Sequence, residues 1–154
     1  MLVLRKVKDS DVRVVFDLAN DKTYRAFSKN SAQIPFSKHL EWFKTRAIIN
    51  PYFYIFELNN SPVGIVRFDS ADGLDFYVSI VVSVQARGRG CGSQMLKLAL
   101  SEFKLANFEI KGTVYAEVHR DNAPSRKLFE KNSFTMESDV QDNFIRYKFQ
   151  GRNV

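Results

Sequence analysis

The residues best suited to chemistry lie in a glycine-rich segment that runs from position 81 to position 93. A hydrophobic strand leads into three alternating glycines, Gly88, Gly90 and Gly92, and a helical pattern starts at once. Glycines leave main-chain N–H groups open to a ligand. A helix N-terminus adds unpaired N–H groups and partial positive charge, which favour anions. The segment therefore predicts a cradle for phosphate.

The side chains of this segment narrow the kind of phosphate ligand. Arg87 and Arg89 add positive charge, and Ser93 lies in the first helical turn, which has no carboxylate. Cys91 is interpreted as a small filler, because no histidine accompanies it to activate a thiol nucleophile. The spacing Arg-x-x-Gly-x-Gly matches neither the dinucleotide pattern nor the nucleoside triphosphate loop. We expect a different diphosphate-bearing ligand.

Two motifs together resemble the GNAT family of N-acetyltransferases. The arrangement Arg-x-x-Gly-x-Gly after a hydrophobic strand resembles that family's acetyl-CoA-binding motif, and residues 117–134 are similar to its later strand–helix unit. The resemblance covers nearly the whole chain and implies acetyl transfer from acetyl-CoA to a primary amine, without a metal. Two positions depart from the family pattern. Phe129 stands where tyrosine is common, and Ser133 where glycine is common, so we expect Asn132 to end the helix in the left-handed conformation.

The resemblance also implies the cofactor contacts. The pantetheine arm is expected between two splayed parallel strands, paired with the main chain of Ile80, Val81 and Val82. An N–H group near Val82 would stabilise the thioester oxygen as negative charge develops. Asn122 is expected to bind the cofactor at a helix start, where Ser125 either binds it as well or only packs.

Glu117 is the predicted general base. It lies on an otherwise apolar strand and matches the position of the base in protein N-terminal acetyltransferases of the family. Since an alkyl ammonium has a pKa of about 10.4, little neutral amine exists at neutral pH, and a base assists attack. A solvent-facing glutamate is the alternative. Because Phe129 replaces the tyrosine that protonates the thiolate, we expect a slower or water-mediated last step, with Tyr77, Tyr115 or Tyr147 as substitutes.

Four residues in the first third of the chain are predicted to bind the acceptor: Arg25, Asn30, His39 and Trp42. Their stretch resembles a GNAT subgroup that acts on amino-sugar nucleotides, where basic and aromatic side chains pair with a diphosphate and stack on a ring. The resemblance implies a 4-amino sugar nucleotide as acceptor. A protein N-terminus or lysine, polyamines and antibiotics are the alternatives, and His39 read by itself favours a structural role.

Eleven elements in the order βααβββαβαββ must position these residues. Helices are predicted to begin at the caps Ser10 and Ser37, after the glycines, and at Asn122. The resemblance implies an α/β (α+β) GNAT fold, with one mixed, mostly antiparallel sheet, a splayed parallel strand pair and helices on both faces. The predicted strands span residues 2–7, 52–58, 63–68, 74–82, 110–118, 134–138 and 144–149.

Composition limits the remaining functions. The chain has 154 residues, a net charge of +6 and one cysteine. We expect a single domain over residues 1–154, no disulfide framework or metal centre, and an anionic partner. With no apolar run long enough for a membrane and no secretion signal, we expect a cytoplasmic monomer or homodimer that binds neither membrane nor nucleic acid. The alternatives are an RNA-binding module and a non-catalytic acetyl-CoA sensor.

Overall fold

The computed structural model describes residues 1–107, 112–140 and 142–151. Seven strands of these residues form one sheet in the order β1-β2-β3-β4-β5-β7-β6. The pair β4–β5 is parallel and the other neighbouring pairs are antiparallel. The strands are β1 (Leu2–Lys6), β2 (Phe53–Leu58), β3 (Ser61–Asp69), β4 (Phe76–Val82), β5 (Val114–His119), β6 (Phe134–Val140) and β7 (Phe144–Phe149).

Helices cover both faces of the sheet, and the described residues contain five of them. They are α1 (Val12–Ala19), α2 (Lys22–Ala26), α3 (Phe36–Trp42), α4 (Cys91–Ala106) and α5 (Ala123–Lys131). A π-helical turn, Phe43–Ala47, continues α3, and 3₁₀ turns precede α1 and follow β4. The mixed, mostly antiparallel sheet with helices on both sides confirms the predicted architecture. None of the helices in the described part of the chain is both long and apolar enough to cross a membrane.

The sheet separates two apolar layers, because successive side chains of a strand point to opposite faces. In β2, Phe53 and Ile55 pack with the buried residues of α1 and the π-helical turn. Tyr54 and Phe56 pack on the other face, in the larger core that includes the apolar side of α4. The ring of Phe103 in α4 stacks on Phe68 with centroids 4.3 Å apart. The sheet is therefore held between two helical layers.

The predicted helix starts need correction. Ser10 lies inside the 3₁₀ turn, because Asp11 organises this corner instead: its carboxylate accepts the Lys8 N–H at 2.9 Å and both Arg5 guanidinium bonds at 2.8 Å. Burial opposes ionisation of Asp11, yet its bonds from Arg5 and Lys8 lower the pKa. Ser37 lies within α3, whose N-cap is Pro35.

Two further predictions about local structure were wrong. The segment that contains Tyr24 and Arg25, where the sequence pattern predicts no helix start, forms α2, because the Asp21 carboxylate accepts the Tyr24 N–H at 2.9 Å. At the end of α5, Ser133 has the left-handed φ of 69°, whereas the φ of Asn132 is −104°. The predicted strand from Ile110 begins at Val114 in the structure, and its first two residues lie outside the described part.

Candidate active site

A cleft opens where the two parallel strands separate. Strands β4 and β5 pair at only two positions, Phe76–Val114 and Tyr77–Tyr115, and then continue to Val82 and His119 without further pairing. The cleft has a volume of about 420 Å³ and is lined by both strands, by α5 and by the loop between α2 and α3, here called the α2–α3 loop (residues 27–35). The splayed parallel pair expected from the sequence is therefore present.

The main chain of β4 presents hydrogen-bonding groups to this gap. The Ser83 N–H donates to the oxygen of Val63, its opposite residue, at 2.8 Å. Bonded and non-bonded pairs alternate along an antiparallel ladder, so the main-chain groups of Ile80 and Val82 point away from β3 and toward the gap. Val81 differs from the prediction: its main chain bonds to β3, and its side chain is buried in the core. Two of the three predicted main-chain partners thus face the cleft.

Two glycines shape the loop between β4 and α4. Gly88 and Gly90 have φ values of 76° and 77°, in the left-handed region that side chains disfavour. A Cβ atom added to either would meet no other group within 4 Å, so the space beside the main chain is open. Gly90 is the N-cap of α4, and the first turn of that helix contains no acidic residue. The arrangement leaves main-chain N–H groups and a helix N-terminus exposed to an anion.

The other residues of the glycine loop have packing roles. A Cβ on Gly92 would lie 2.8 Å from the Leu128 side chain, so this glycine allows α4 to approach α5. Cys91 is buried and belongs to the core. The hydroxyl of Ser93 accepts a hydrogen bond from the Asn132 amide at 3.1 Å. Cys91, Gly92 and Ser93 lie in the first turn of α4, so their main-chain N–H groups remain available to a ligand. The side chains of Cys91 and Ser93 make contacts within the protein.

The two arginines of the loop have different surroundings. The Arg87 guanidinium donates to the Val82 carbonyl at 3.0 Å and to the Asp21 carboxylate at 2.7 Å, which ties the end of β4 to the start of α2. Burial opposes ionisation of Asp21, but hydrogen bonds from Arg87 and Tyr24 lower its pKa. Arg89 is exposed, and within the described residues no group bonds its guanidinium. Arg89 is therefore better placed than Arg87 to meet a phosphate.

Glu117 lies in the cleft between two cations. Its carboxylate accepts hydrogen bonds from Lys29 of the α2–α3 loop and from Arg146 of β7, the latter at 3.0 Å and 3.3 Å. Its side chain is only 15% exposed, so the alternative of a solvent-facing glutamate is not what the structure contains. Burial opposes ionisation, but the bonds from Lys29 and Arg146 outweigh it and lower the pKa of Glu117. The group is an anion at neutral pH and a weak base.

The tyrosines named as substitutes for the missing acid differ in position. Tyr77 lines the cleft and stacks on Tyr115 at 5.4 Å, with the Arg146 guanidinium over both rings. Tyr147 is fully buried; its hydroxyl donates to Glu130 at 2.7 Å and accepts from Arg126 at 3.1 Å. Of the three tyrosines, Tyr77 is the one that lines the cleft.

The N-terminal half of α5 forms one wall of the cleft. The Asn122 side-chain oxygen caps the helix by accepting the Ser125 N–H at 3.3 Å, and both residues line the cleft. This cap leaves the NH₂ group of the Asn122 amide available as a donor. Phe129, one helical turn further on, also lines the cleft and packs edge-on against Phe134 at 5.0 Å, with only 3% of its surface exposed. A phenyl ring cannot donate a proton to the CoA thiolate, so Phe129 contributes only packing to this wall of the cleft.

The predicted acceptor residues are divided by the structure. Arg25 and Asn30 line the cleft, where the Arg25 guanidinium donates to the carbonyls of Asn30 and Ala32 and so braces the α2–α3 loop. His39 is buried to 2% exposure, and its Nε2 bonds the Val12 carbonyl at 2.8 Å. Burial lowers the pKa of His39. The prediction that His39 binds the acceptor needs correction, because its ring is enclosed in the core.

Trp42 lies beside a second cavity of about 680 Å³ on the same face of the sheet. Its ring packs against the Arg67 guanidinium at 5.1 Å, and Arg67 is a lining residue of both cavities. Trp42 itself does not line the cleft that contains Glu117. Trp42 can contact only an acceptor that is long enough to reach from the cleft past Arg67 into the second cavity.

Sequence reasoning missed the cations of the cleft. Lys29 and Arg67 line the cleft, and Arg146 lies beside it in β7. Lys29 and Arg146 bond Glu117, the one carboxylate among the lining residues, whereas Arg67 pairs with Asp69. Arg146 lies directly opposite Glu117 in the β5–β7 ladder, a register that no local pattern reveals. Lys29 is 88 positions from Glu117 in the chain. The acceptor side of the cleft is therefore more positive than Arg25 alone suggested.

Comparisons with known proteins agree with this geometry. A family model described as "Acetyltransferase (GNAT) domain" matches residues 1–135. YwnH of Bacillus subtilis (strain 168), named as a candidate phosphinothricin acetyltransferase, is 27% identical over 140 residues, which span 86% of this chain and 83% of YwnH.

Two solved structures are similar in fold. A domain from Methanocaldococcus jannaschii DSM 2661 superimposes with a TM-score of 0.82 at 21% identity, covering 96% of this chain and 97% of that domain. The second structure is YncA from Salmonella typhimurium, named as a candidate acetyltransferase and solved with its cofactor acetyl-CoA. It superimposes with a TM-score of 0.72 at 18% identity. That match covers 99% of this chain and 96% of YncA.

Proposed function

The chain belongs to the GNAT family of acetyltransferases, and on that premise we propose that it moves the acetyl group of acetyl-CoA to a primary amine. The proposal rests on the observation that three groups lie close together. The main-chain N–H groups of Ile80 and Val82, the first turn of α5 and the carboxylate of Glu117 all lie where β4 and β5 separate. Cofactor and acceptor can therefore meet there.

The residues present fit acetyl-CoA. Main-chain N–H groups from Gly88 to Ser93, at the N-terminus of α4, would hold the pyrophosphate, with Arg89 beside them. Ile80 would pair with a pantetheine amide, and the NH₂ group of Asn122 would donate from the other wall. When bound, acetyl-CoA supplies an activated thioester carbonyl. No metal enters this scheme.

The N–H of Val82 would serve as a hydrogen-bond donor for the thioester oxygen. Its direction toward the gap follows from the β3–β4 ladder, and Arg87 fixes the same peptide region by binding the Val82 carbonyl. A donor that is already oriented needs no rearrangement as negative charge develops, and such donors contribute about 3–4 kcal/mol.

Glu117 would receive the acceptor amine. Because Lys29 and Arg146 lower its pKa, Glu117 stays ionised at neutral pH and its hydrogen bond orients the incoming ammonium. It passes a proton toward solvent as the nitrogen attacks, in the role of a weak general base. Tyr24 and Tyr77 both line the cleft, and Tyr77, on the strand that faces Glu117, would supply the thiolate proton; a water can perform the same step.

The charges of the cleft support an acceptor that carries an anionic group in addition to its amine. Arg25, Lys29 and Arg67 line the cleft, and Glu117 is the one carboxylate among the lining residues. Arg146 of β7 contacts that carboxylate from outside the lining. Guanidinium groups bind carboxylate and phosphate well because they offer paired donors. A 4-amino sugar nucleotide, which the sequence resemblance implies, fits this description through its diphosphate.

A second candidate acceptor is a small amino acid with a further acidic group. The observation in its favour is the relative YwnH, whose name refers to phosphinothricin. The modest cleft of about 420 Å³ also accommodates a small molecule. A nucleotide would need more room, and the second cavity beyond Arg67 supplies it.

An amine panel tests the proposal. Purified protein with acetyl-CoA is offered matched pairs in which the same amine carries either a free anionic group or its neutral ester or amide, and release of the CoA thiol is followed. We expect turnover with an anionic member and at least about tenfold lower kcat/KM for its neutral partner. Binding of acetyl-CoA in calorimetry without thiol release from any amine would favour the sensor alternative. Stabilisation by RNA but not by acetyl-CoA would contradict the proposal.

A further inference from the structure

The α2–α3 loop places a primary amine of the protein itself inside the cleft. The Lys29 ammonium donates to the Glu117 carboxylate and lies 5.5 Å from the centre of the Phe144 ring. Lys29 and Glu117 both line the cleft described above. An amine in hydrogen-bond contact with the candidate base is the arrangement that a bound acceptor would need.

The register of the two parallel strands places this amine level with the middle of β4, along the expected path of the pantetheine arm. Tyr77 lies opposite Tyr115, so by the same register Glu117 lies level with Ser79, next to Ile80. The main chain of Ile80 faces the gap. Lys29 is therefore at the stretch of β4 to which we assign the pantetheine arm.

The α2–α3 loop is braced on both sides of Lys29. The Ser28 hydroxyl donates to the Tyr24 carbonyl at 2.6 Å, and the Arg25 guanidinium donates to the carbonyls of Asn30 and Ala32. At its far end, Ile34 exchanges two hydrogen bonds with the Asn20 side chain, at 2.8 Å and 3.0 Å. A braced loop holds an amine near its target, and such positioning raises the rate of an intramolecular reaction.

We propose that Lys29 is a self-acetylation site, modified by the cleft in which it lies when no acceptor occupies it. The inference rests on the proposed function. In the reaction the Lys29 ammonium first loses one proton through Glu117 to solvent. The Nζ lone pair then attacks the acetyl carbonyl of acetyl-CoA, the N–C bond forms and the C–S bond breaks. The nitrogen loses a second proton, the CoA thiolate takes one, and the products are acetyl-lysine, the CoA thiol and one released proton.

The modification would change the acceptor site. Acetylation removes the charge of Lys29, so Glu117 keeps Arg146 as its cationic partner and the cleft loses one of the cations around it. An anionic acceptor is then attracted less strongly. Self-acetylation in the absence of acceptor would therefore reduce the later use of anionic amines.

Mass spectrometry of the purified protein tests the proposal. The protein is incubated with acetyl-CoA and no amine, digested, and the acetylated fraction of Lys29 is compared with that of Lys22 and Lys44, which are exposed and make no ion pair within the described residues. We expect Lys29 to be acetylated at least about tenfold faster than either, at a first-order rate independent of protein concentration. Equal acetylation of the three lysines, or an observed rate constant that rises in proportion to protein concentration, would overturn the proposal.

Three variants assign the reaction to the cleft. Lys29→Arg keeps the charge and must remove the modified peptide. Glu117→Gln and Gly90→Glu, which act on the base and on the cofactor cradle, must each slow acetylation of Lys29 while Lys22 is unaffected. Unchanged labelling of Lys29 in both variants would mean a purely chemical reaction and would overturn the proposal.

The amine panel run in parallel separates this inference from the proposed function. Acetylation of an added amine with no modification of Lys29 defeats the inference alone, whereas bound acetyl-CoA with neither reaction defeats both. A readout without acetyl-CoA is also available: Lys29→Gln, which resembles acetyl-lysine, should raise the pKa of Glu117 in an NMR titration of its side-chain carboxyl. An unchanged Glu117 pKa would show that the Lys29 amine is elsewhere and would overturn the inference.

Discussion

The two sides of the cleft are made from different material. The cofactor side consists mainly of main-chain groups: the N–H groups from Gly88 to Ser93 and the edge of β4 at Ile80 and Val82. The acceptor side consists of side chains from elements that are distant in the sequence, such as Lys29, Glu117 and Arg146. A site made of main-chain groups therefore requires a local sequence pattern, because glycines must stand at defined positions. A side-chain site imposes none.

The same difference predicts how each side responds to mutation. Main-chain donors can be blocked but not removed, so substitutions near them act through bulk, charge or backbone strain. Side chains on the acceptor side can be exchanged one at a time, with effects on turnover and specificity.

Gly90→Glu should have the largest effect. The new carboxylate would project into the open space beside the main chain and repel a pyrophosphate, so we expect at least about a 100-fold loss of acetyl-CoA affinity in calorimetry. Gly73→Glu is the matched control, because Gly73 has a φ of 76° and also has no neighbour near an added Cβ. Similar losses in both variants would assign the effect to backbone strain and break the comparison.

Glu117→Gln should reduce turnover and spare the cofactor side. Removing a general base costs about 10²-fold or more in turnover, and acetyl-CoA affinity should stay within about twofold because the pyrophosphate cradle is untouched. Since Lys29 and Arg146 lower the pKa of Glu117 despite its burial, the wild-type acidic limb should lie below the ordinary glutamate value of 4.5. Activity falls as pH drops through that pKa, and the limb should be absent in the variant. Wild-type kinetics would remove Glu117 from the mechanism.

The paired variants Arg87→Ala and Arg89→Ala sharpen the comparison within the glycine loop. Arg87 bonds Val82 and Asp21 and is partly exposed, so its loss should lower the free energy of unfolding by about 1 kcal/mol. Arg89→Ala should leave stability within about 0.5 kcal/mol and weaken acetyl-CoA binding several-fold at low salt, less so at high salt. Denaturant titration and calorimetry measure the two effects. If Arg87→Ala instead weakened acetyl-CoA binding and Arg89→Ala lowered stability, the result would show that Arg87 leaves Asp21 to bind phosphate.

Phe129→Tyr should have the smallest effect. The ring forms part of the cleft wall, so the added hydroxyl offers a proton donor for the thiolate and the rate of thiol release should be equal or a few-fold higher. The buried contact with Phe134 limits the room for a polar atom, and we expect a stability loss of about 1 kcal/mol. A large loss of activity would show that the phenyl ring positions another part of the site.

The fold was predictable where hydrophobic periodicity is strong. The seven strands, α1, α4 and α5 follow their patterns, and Asn122 caps α5 as predicted. Two predicted helix starts were wrong. Asp11, held by Arg5 of β1, organises the corner where Ser10 was predicted as the cap, and Pro35 is the N-cap of α3 in place of Ser37. The left-handed residue after α5 is Ser133, while the Asn132 side chain bonds Leu128 and Ser93.

The candidate site divides in the same way. The glycine loop and Glu117 were identifiable from spacing and from a carboxylate on an apolar strand. The partners of Glu117 and the occupied state of Arg87 depend on strand register and on the path of a loop, which are properties of the whole fold. His39 was misassigned because an aromatic, polar stretch looks alike whether it faces a ligand or the core.

The short seam between β4 and β5 has a consequence for the motions of the molecule. Two residue pairs are the only ladder contacts in the described residues between the half-sheet β1–β4 and the half-sheet β5–β7–β6. A ligand that bonds to both edges acts as an added strand and closes this seam. Opening of the seam between the two half-sheets is then coupled to release of the coenzyme. The amides of Ile80 and Val82 should therefore exchange with deuterated solvent quickly in the free protein and slowly in the complex.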